Sequence, residues 1–236
     1  MSVEGKIIDV IFNGVYLLKV GKRKVLATKN LTPGITIYNE KLIVCDGAEY
    51  RSWNPFRSKL AGAILKGLKF FPVKEGDQIL YLGAATGTTA SHISDIVGKE
   101  GGIYCIEISE RCIRELVHVC VARRNMYPIL ADARRPEMYM HLVPEVDGIY
   151  CDVAQPEQAG LVNLNAKYFL RDGGYLYLAI KARSIDVTKA PYEIYKKEIE
   201  TLKKGGFELI DVVHLDPFDK DHAMVLARYN RSNIGK

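Results

Sequence analysis

Apolar and polar residues follow two different patterns along the chain. Residues 1–52 contain short runs rich in β-branched residues, separated by glycine and other turn residues, which predicts a small antiparallel sheet. Hairpin turns are predicted in this sheet at Gly21-Lys22-Arg23 and at Asn39-Glu40. Beyond residue 72, nearly continuous apolar runs alternate with stretches of helical period, which is typical of a parallel sheet covered by helices on both faces.

The second pattern predicts an α/β fold with a mostly parallel sheet. Its strands are predicted at 78–83, 102–108, 127–132, 146–153 and 174–182. Its helices are predicted at 88–97, 109–121, 157–170 and 190–204. A further helix is predicted to begin at Asn54-Pro55, where an Asx cap precedes a proline suited to the first helical position. Apolar runs at 207–215 and 222–229 predict an antiparallel hairpin that ends the sheet.

We therefore expect three parts in the 236-residue chain: a small N-terminal antiparallel β domain over residues 1–54, a doubly wound α/β domain over 55–230 and a polar tail over 231–236. No apolar run approaches the roughly 18 residues of a membrane-spanning helix, and the first residues do not have the layout of a signal peptide. A soluble, intracellular protein is expected.

The net charge and the cysteine content exclude few functions. The formal net charge of +5 permits contact with nucleic acid without requiring it. The Lys22-Arg23-Lys24 run is interpreted as an exposed hairpin tip, with contact to RNA or a partner as the alternative. The five cysteines are odd in number and lack the spacing of a zinc site or a disulfide framework, so no metal site is predicted.

Small or acidic residues follow the first three strands of the predicted parallel sheet. The Gly83–Gly87 segment lets a ligand approach the backbone, although its GxxxG spacing also suits an ordinary tight turn. Glu107 follows the second strand at the position of a ribose-binding carboxylate, and Asp132-Ala133 follows the third, where it suits an adenine amino group. Each acid has a structural alternative, an exposed strand end or a helix cap. Together the residues predict a ligand that contains adenosine.

Charged residues follow the fourth and fifth strands. Asp152 and Lys181 are predicted to be neighbours, because a lysine that ends an apolar run is costly to bury without a carboxylate partner. A simple salt bridge between strand ends is the alternative. His222, at the start of the last strand, is placed to reach the same edge of the sheet.

Long strings of the chain carry a family resemblance. They are YLGAATGTTASHISDIVG, DARRPEMY, DVAQPEQA, IKARSID, FDKDHAMVLARY and, before them, WNPFRSKLAGAI. With the N-terminal sheet, they resemble fibrillarin, the RNA 2′-O-methyltransferase family of box C/D guide ribonucleoproteins. The sequence does not contain the Gly/Arg-rich extension of nucleolar members, so an archaeal-type, cytoplasmic protein is expected.

The resemblance implies an S-adenosylmethionine-dependent, Rossmann-like methyltransferase domain over residues 55–230. The implied catalytic residues match the Lys-Asp-Lys-Glu tetrad of RNA 2′-O-methyltransferases, with histidine in the last place: Lys59, Asp152, Lys181 and His222. The residues implied to bind S-adenosylmethionine are Gly83, Ala84, Thr88 and Thr89 at the methionine part, Glu107 at the ribose, Asp132 and Ala133 at the adenine, and Ile108, Asp152 and Gln155 elsewhere in the pocket.

The resemblance also implies the reaction and the partners. The methyl group of S-adenosylmethionine goes to a ribose 2′-hydroxyl of rRNA or tRNA, at targets that a box C/D guide RNA selects. The implied protein partners are a Nop-domain scaffold and a kink-turn-binding homologue of a ribosomal protein, with no membrane partner. Lys181, held by Asp152, is interpreted as orienting the hydroxyl and stabilising negative charge on it, while the group that takes the proton stays open.

Three other functions are alternatives. A nicotinamide-dependent oxidoreductase needs a GxGxxG motif, which the sequence does not contain. A non-catalytic subunit that binds S-adenosylmethionine or RNA is disfavoured by the four residue types of the tetrad. A methyltransferase with another acceptor is the third: a protein side chain is the main alternative, and an RNA base is disfavoured because the sequence shows no aromatic or proline-rich signature of a base pocket.

Overall fold

The computed structural model describes residues 2–186, 188 and 190–235. The N-terminal strands are β1 (Val3–Glu4), β2 (Lys6–Phe12), β3 (Val15–Val20), β4 (Arg23–Lys29), β5 (Leu42–Cys45) and β6 (Ala48–Ser52). They form one sheet in the order β1-β5-β6-β4-β3-β2. The sheet is antiparallel, as predicted, apart from the two-residue β1, which pairs in parallel with β5.

Only one of the two turns predicted in this sheet is correct. Gly21-Lys22 joins β3 to β4. The turn predicted at Asn39-Glu40 is wrong, because Asp46-Gly47 makes the neighbouring hairpin, between β5 and β6, with both residues at positive φ. Residues 34–41 form a loop instead of a strand pair. The Glu40 carboxylate holds this loop by accepting backbone N–H groups from residues two and three positions before it.

The rest of the chain forms a seven-stranded sheet with helices on both faces. Its strands are β7 (Gln78–Leu82), β8 (Gly102–Glu107), β9 (Met126–Leu130), β10 (Val146–Cys151), β11 (Leu170–Lys181), β12 (Phe207–His214) and β13 (His222–Tyr229). The helices are α1 (Lys59–Leu65), α2 (Thr88–Val97), α3 (Glu110–Ala122), α4 (Gln158–Phe169), α5 (Ala182–Ile185) and α6 (Pro191–Lys204), with 3-10 turns at Pro136–Met138 and Arg231–Asn233.

The strand order of this sheet is β12-β13-β11-β10-β7-β8-β9. The five strands from β7 to β11 pair in parallel, whereas β13 runs antiparallel to both of its neighbours. The predicted fold, a doubly wound sheet with a C-terminal antiparallel hairpin, is therefore confirmed. The order reverses between β7 and β10, and ligands of such sheets bind at that reversal, beyond the carboxyl ends of the strands.

Helix α1 begins later than the sequence predicts. The Asn54 side chain accepts the Phe56 N–H at 2.9 Å, so Asn54-Pro55 forms a separate turn. The helix begins at Lys59, and the Ser58 hydroxyl caps it by accepting the Ala61 N–H. This later start makes Lys59 the first residue of the helix.

Apolar side chains fill both faces of the larger sheet. Successive residues of β7 alternate between the two sides: Ile79 packs with α1, α2 and α3, and Leu80 packs with α4 and α6. The first of these clusters also contains Leu26 and Trp53 from the N-terminal region. The two sheets thus share a core, and the domain boundaries predicted at residues 54 and 230 stay predictions.

A buried network of charged side chains joins the two sheets. Asp95, on α2, accepts a guanidinium N–H from Arg51 of β6 at 2.9 Å and one from Arg123, after α3, at 2.7 Å. Arg51 also contacts Glu40 at 2.6 Å, and all four side chains are fully buried. Burial by itself raises the pKa of Glu40, but the Arg51 guanidinium and backbone donors outweigh burial and lower that pKa below its ordinary value.

His92 extends the network toward the N-terminal loop. Its Nδ1 lies 2.8 Å from the Thr28 hydroxyl, its Nε2 lies 2.7 Å from the Tyr38 hydroxyl, and its ring stacks on Trp53. Burial, with Arg51 nearby, lowers the pKa of His92 well below 6.5, so the ring is neutral. The Thr28 hydroxyl also donates to Asp95 at 2.7 Å, and the Tyr38 hydroxyl also donates to the Ser52 carbonyl oxygen at 2.9 Å, so His92 links the N-terminal sheet and its loop to α2.

We expect Asp95→Asn to lower the free energy of unfolding by about 3 kcal/mol or more, because it removes the buried carboxylate charge that pairs with the guanidinium groups of Arg51 and Arg123. Chemical denaturation measures this loss. Glu110→Gln is the matched control, since Glu110 pairs with Arg114 at 4.0 Å on the exposed surface of α3. The control is expected to change stability by less than about 0.5 kcal/mol. Equal losses in both variants would contradict the role of the network.

The low pKa of His92 predicts a specific dependence of stability on pH. Below about pH 6.5 the unfolded chain binds a proton at this histidine that the folded chain does not bind, so stability falls as the pH falls further. We expect His92→Gln to remove this part of the slope between about pH 6.5 and 5. Unfolding free energies measured across that range in both proteins test it, and an unchanged slope would argue against it.

Candidate active site

A cavity of about 280 Å³ lies at the carboxyl ends of the parallel strands, where the strand order reverses. Seven of the residues predicted at the ligand site line it: Gly83, Glu107, Ile108, Asp132, Ala133, Asp152 and Gln155. Lys181 lines it as well. The strand-end rule therefore places most of the predicted residues around one cavity.

The floor of the cavity requires glycine after β7. Gly83 has φ +79°, and a Cβ there would lie 3.1 Å from both the backbone N and the Cγ1 of Val153. Any larger residue would therefore push the turn away from the segment that follows β10. Ala85, within the predicted Gly83–Gly87 segment, also lines the cavity, as do Val153 and Ala154, which were not predicted as ligand residues.

Glu107 is held at the end of β8 by backbone donors. Its two carboxylate oxygens accept the N–H groups of Ala85 and Ser109, each at 2.8 Å. A carboxylate has about four acceptor positions, so these bonds orient Glu107 and leave it able to accept hydrogen bonds from a ligand in the cavity. Its role as a ribose ligand stays a prediction.

Asp132 also faces the cavity, but it has a partner within the chain. The Arg134 guanidinium contacts its carboxylate at 2.6 Å, and the Arg134 backbone N–H donates to it at 2.9 Å. The hydrogen bonds from Arg134 lower the pKa of Asp132 below its ordinary value. Asp132 therefore stabilises its own turn, which was the structural alternative, while its contact with adenine stays a prediction.

Three predicted cofactor residues lie outside the cavity lining. Ala84 is buried in the core, and Thr88 is the first residue of α2. The Thr89 hydroxyl donates to the Ser58 hydroxyl at 2.9 Å. Because Ser58 caps α1, Thr89 helps to position Lys59, and no sequence pattern indicated this contact.

Two lysines meet one carboxylate at the edge of the cavity. Lys181, at the end of β11, contacts Asp152 Oδ1 at 2.9 Å and donates to the Asp152 carbonyl oxygen at 2.7 Å. Lys59 lies 3.3 Å from the same carboxylate. The three side chains are 16–19% exposed, so they remain within reach of a molecule in solution. The predicted contact between Asp152 and Lys181 is therefore present.

His222 joins these residues through an aspartate that the sequence analysis missed. It lies opposite Lys181 in the pairing of β11 with β13. Its Nδ1 is 3.0 Å from the Asp219 carboxylate and 2.7 Å from the Lys220 carbonyl oxygen, so Nδ1 donates to these acceptors. Asp219 also lies 3.5 Å from Lys59. We call Lys59, Asp152, Lys181, Asp219 and His222 the catalytic cluster, after the role that the family resemblance implies for four of them and that stays a prediction.

The cluster can bind and orient a hydroxyl group. Its two ammonium groups can stabilise negative charge that develops on an oxygen, and its two carboxylates keep those ammonium groups in place. Within the residues that the structure describes, no group of three or more histidine, cysteine or acidic side chains has the geometry to hold a metal ion. No helix in the described part of the chain is long and apolar enough to cross a membrane.

Comparison with known proteins identifies the family. The profile of the Fibrillarin family matches residues 8–231. The chain belongs to the fibrillarin family. A fibrillarin-like rRNA/tRNA 2′-O-methyltransferase of Staphylothermus marinus is 62% identical over 221 residues, which cover 93% of this chain and 94% of that protein.

Solved fibrillarin structures share the fold. Aeropyrum pernix fibrillarin, crystallised with natively bound S-adenosyl-L-methionine, matches with a TM-score of 0.88 at 58% identity, covering 96% of this chain and 99% of that one. The fibrillarin of a fibrillarin/Nop5p complex matches with a TM-score of 0.82 at 38% identity, covering 98% and 100%. The Rossmann-like methyltransferase fold predicted from the sequence is thereby confirmed.

Proposed function

We propose that this fibrillarin-family protein transfers the methyl group of S-adenosylmethionine to ribose 2′-hydroxyls of rRNA and tRNA. The observation that carries the proposal is the Lys59–Asp152–Lys181 contact at the edge of the strand-end cavity, in a chain 62% identical to a fibrillarin-like rRNA/tRNA 2′-O-methyltransferase. Asp152 and Lys181 also line that cavity, which brings the cluster next to a ligand bound there.

The residues around the cavity fit S-adenosylmethionine. Gly83 packs closely against Val153 beside the cavity, and the Glu107 carboxylate is oriented to accept hydroxyl donors. Ile106 and Ile108 add apolar wall next to these polar groups, as an adenosine moiety requires. Glu107 would hold the ribose, and Asp132 and Ala133 would lie at the adenine.

S-adenosylmethionine, held by the cavity residues, would supply a methyl group activated by a positively charged sulfur. The ribose 2′-oxygen would bond to this methyl group as the S–CH3 bond breaks, leaving S-adenosylhomocysteine, and the hydroxyl proton would pass to a base. The chain has to align the ribose oxygen, and alignment can contribute roughly 7–11 kcal/mol to lowering the barrier. Lys181 orients the hydroxyl and stabilises negative charge on its oxygen. Asp152 holds Lys181 in place. Lys59 and His222, which both contact Asp219, set the local charge around Asp152 and Lys181.

Target selection belongs to partners in this proposal. The formal net charge of +5 is modest for a protein that must hold RNA alone. A Nop-domain scaffold would bring the chain to its RNA, as supported by the similar chain in the fibrillarin/Nop5p complex. A box C/D guide RNA would choose the target nucleotide, and a kink-turn-binding protein would complete the particle.

We expect Lys181→Ala and Asp152→Ala each to lower the rate of methyl transfer by at least about 100-fold, because the first removes the charge that acts on the reacting oxygen and the second removes the carboxylate that holds Lys181 in place. Both residues are partly exposed at the cavity edge, so the fold should survive, as circular dichroism and thermal unfolding will show. Lys196→Ala, on the exposed surface of α6, is the control and should keep full activity. Normal turnover by either cluster variant would refute the assignment.

The acceptor atom is tested with labelled methyl groups in a reconstituted particle. A guide-paired target RNA should accept label from S-adenosylmethionine, and the same RNA with a single 2′-deoxy nucleotide at the target position should not. Label that persists on the deoxy RNA would place the methyl group elsewhere on the nucleotide. Label found on protein instead of either RNA would support the protein side-chain alternative.

A further inference from the structure

An exposed aromatic residue lies beside the catalytic cluster and has no role within it. Phe56 is 68% exposed, three residues before Lys59. Its ring meets the ring of Phe218 edge-on, with centroids 5.2 Å apart. Phe218 directly precedes Asp219, which contacts both Lys59 and His222. Phe56 and Phe218 therefore form an aromatic platform at the edge of the cluster.

The platform is held by specific contacts below and beside it. A Cβ on Gly62 would lie 3.4 Å from the Cβ of Phe218, so α1 packs directly against that residue. The Phe218 N–H donates to the Leu215 carbonyl oxygen at 2.8 Å, and the Phe56 N–H donates to the Asn54 side chain. Leaving a phenylalanine ring in water forgoes the free energy of burying it, which favours a ligand that covers the ring.

A groove of about 680 Å³ includes Phe56 and extends to the tip of the hairpin between β3 and β4. Four cationic side chains line this basic groove: Arg23, Lys24, Lys41 and Arg57. Glu40 also lines the groove, but its carboxylate is fully buried and paired with Arg51, so it does not offset the four positive charges. The groove therefore presents positive charge that continues to the edge of the catalytic cluster.

We propose that the basic groove and the aromatic platform hold the RNA strand that carries the target nucleotide. The four cations face its phosphates, and the Phe56 ring packs against the sugar and base edge next to the reacting ribose. Double-stranded RNA exposes its 2′-hydroxyls in a wide, shallow minor groove, which the platform can reach while phosphates pass on either side. This inference rests on the proposed function and assigns the surface that positions its substrate.

Charge complementarity favours RNA over a protein as the occupant. An apolar partner surface would cover Phe56 but would leave four cations without partners. A polyanion with sugar and aromatic faces satisfies both parts of the surface at once.

The first test compares Phe56→Ala with Phe70→Ala in a reconstituted particle carrying guide and target RNA. Phe70 is 41% exposed and meets Tyr175 edge-on at 5.6 Å, so it offers a matched pair of rings. Tyr175 lies six residues before Lys181 on β11, about 20 Å from the cluster. Phe56→Ala should lower kcat/KM for RNA about 10-fold or more, and Phe70→Ala should leave it unchanged.

The conservative variant Phe56→Tyr should recover most of the activity lost in Phe56→Ala. Binding of S-adenosylmethionine, measured by calorimetry, should be equal in all these variants, because Phe56 does not line the strand-end cavity. Loss of cofactor binding along with activity would instead indicate damage to that cavity and would overturn the proposal.

The second test removes charge from the tip of the hairpin. Arg23→Gln combined with Lys24→Gln should weaken RNA binding by the particle and reduce the slope of log K against log salt by about 1 to 2. Lys203→Gln combined with Lys204→Gln is the control, since these exposed lysines end α6 on the other face of the larger sheet. An equal slope for both pairs would overturn the proposal.

The outcomes separate this inference from the proposed function. If the wild-type particle methylates a 2′-hydroxyl but Phe56→Ala has full kcat/KM, the inference fails and the function stands. If the wild-type particle methylates no RNA, the function fails first. If Phe56→Ala no longer binds the Nop-domain scaffold, the platform contacts protein and the inference is wrong. If Phe56→Ala lowers the melting temperature, its lower activity can come from lost stability. The salt dependence of Arg23→Gln combined with Lys24→Gln then decides whether the groove binds RNA, because both side chains are exposed.

Discussion

The Asp95 carboxylate is the point at which the two sheets are joined, since it receives one guanidinium from the N-terminal sheet and another from the end of α3. Each of the three charges would be costly to bury alone, so they remain buried only together. Asp95 lies on α2, the helix that begins beside the cavity turn. The same helix therefore borders the ligand cavity and anchors the N-terminal sheet.

This anchoring extends to the catalytic cluster. The first turn of α2 carries Thr89, whose hydroxyl contacts Ser58 at the cap of α1. Lys59 follows directly, and its ammonium group reaches Asp152 at the end of β10 and Asp219 before β13. Residues from the beginning, middle and end of the fold thus meet because each is tied to a rigid element and not to a free loop alone.

The strands and the strand-end residues could be predicted because they depend on local patterns. Continuous apolar runs indicate buried parallel strands, and the carboxyl ends of such strands meet at one edge, which located Glu107, Asp152 and Lys181. The start of α1 was wrong because Asn54 and Ser58 are both good caps, and Thr89 on another helix selects Ser58. Asp219 was missed because three aspartates lie close together before His222, and only the fold brings that one to Lys59.

The pairing of Lys181 with His222 across β11 and β13 restricts how the end of the chain can change in length. Successive residues of a strand point to opposite faces, so adding or deleting a single residue within β13 would turn His222 away from the cluster. The loop before it is closed by the Leu215 N–H, which donates to the His222 carbonyl oxygen. Insertions in this C-terminal hairpin should therefore be tolerated over evolution far less than insertions in loops at the opposite edge of the sheet.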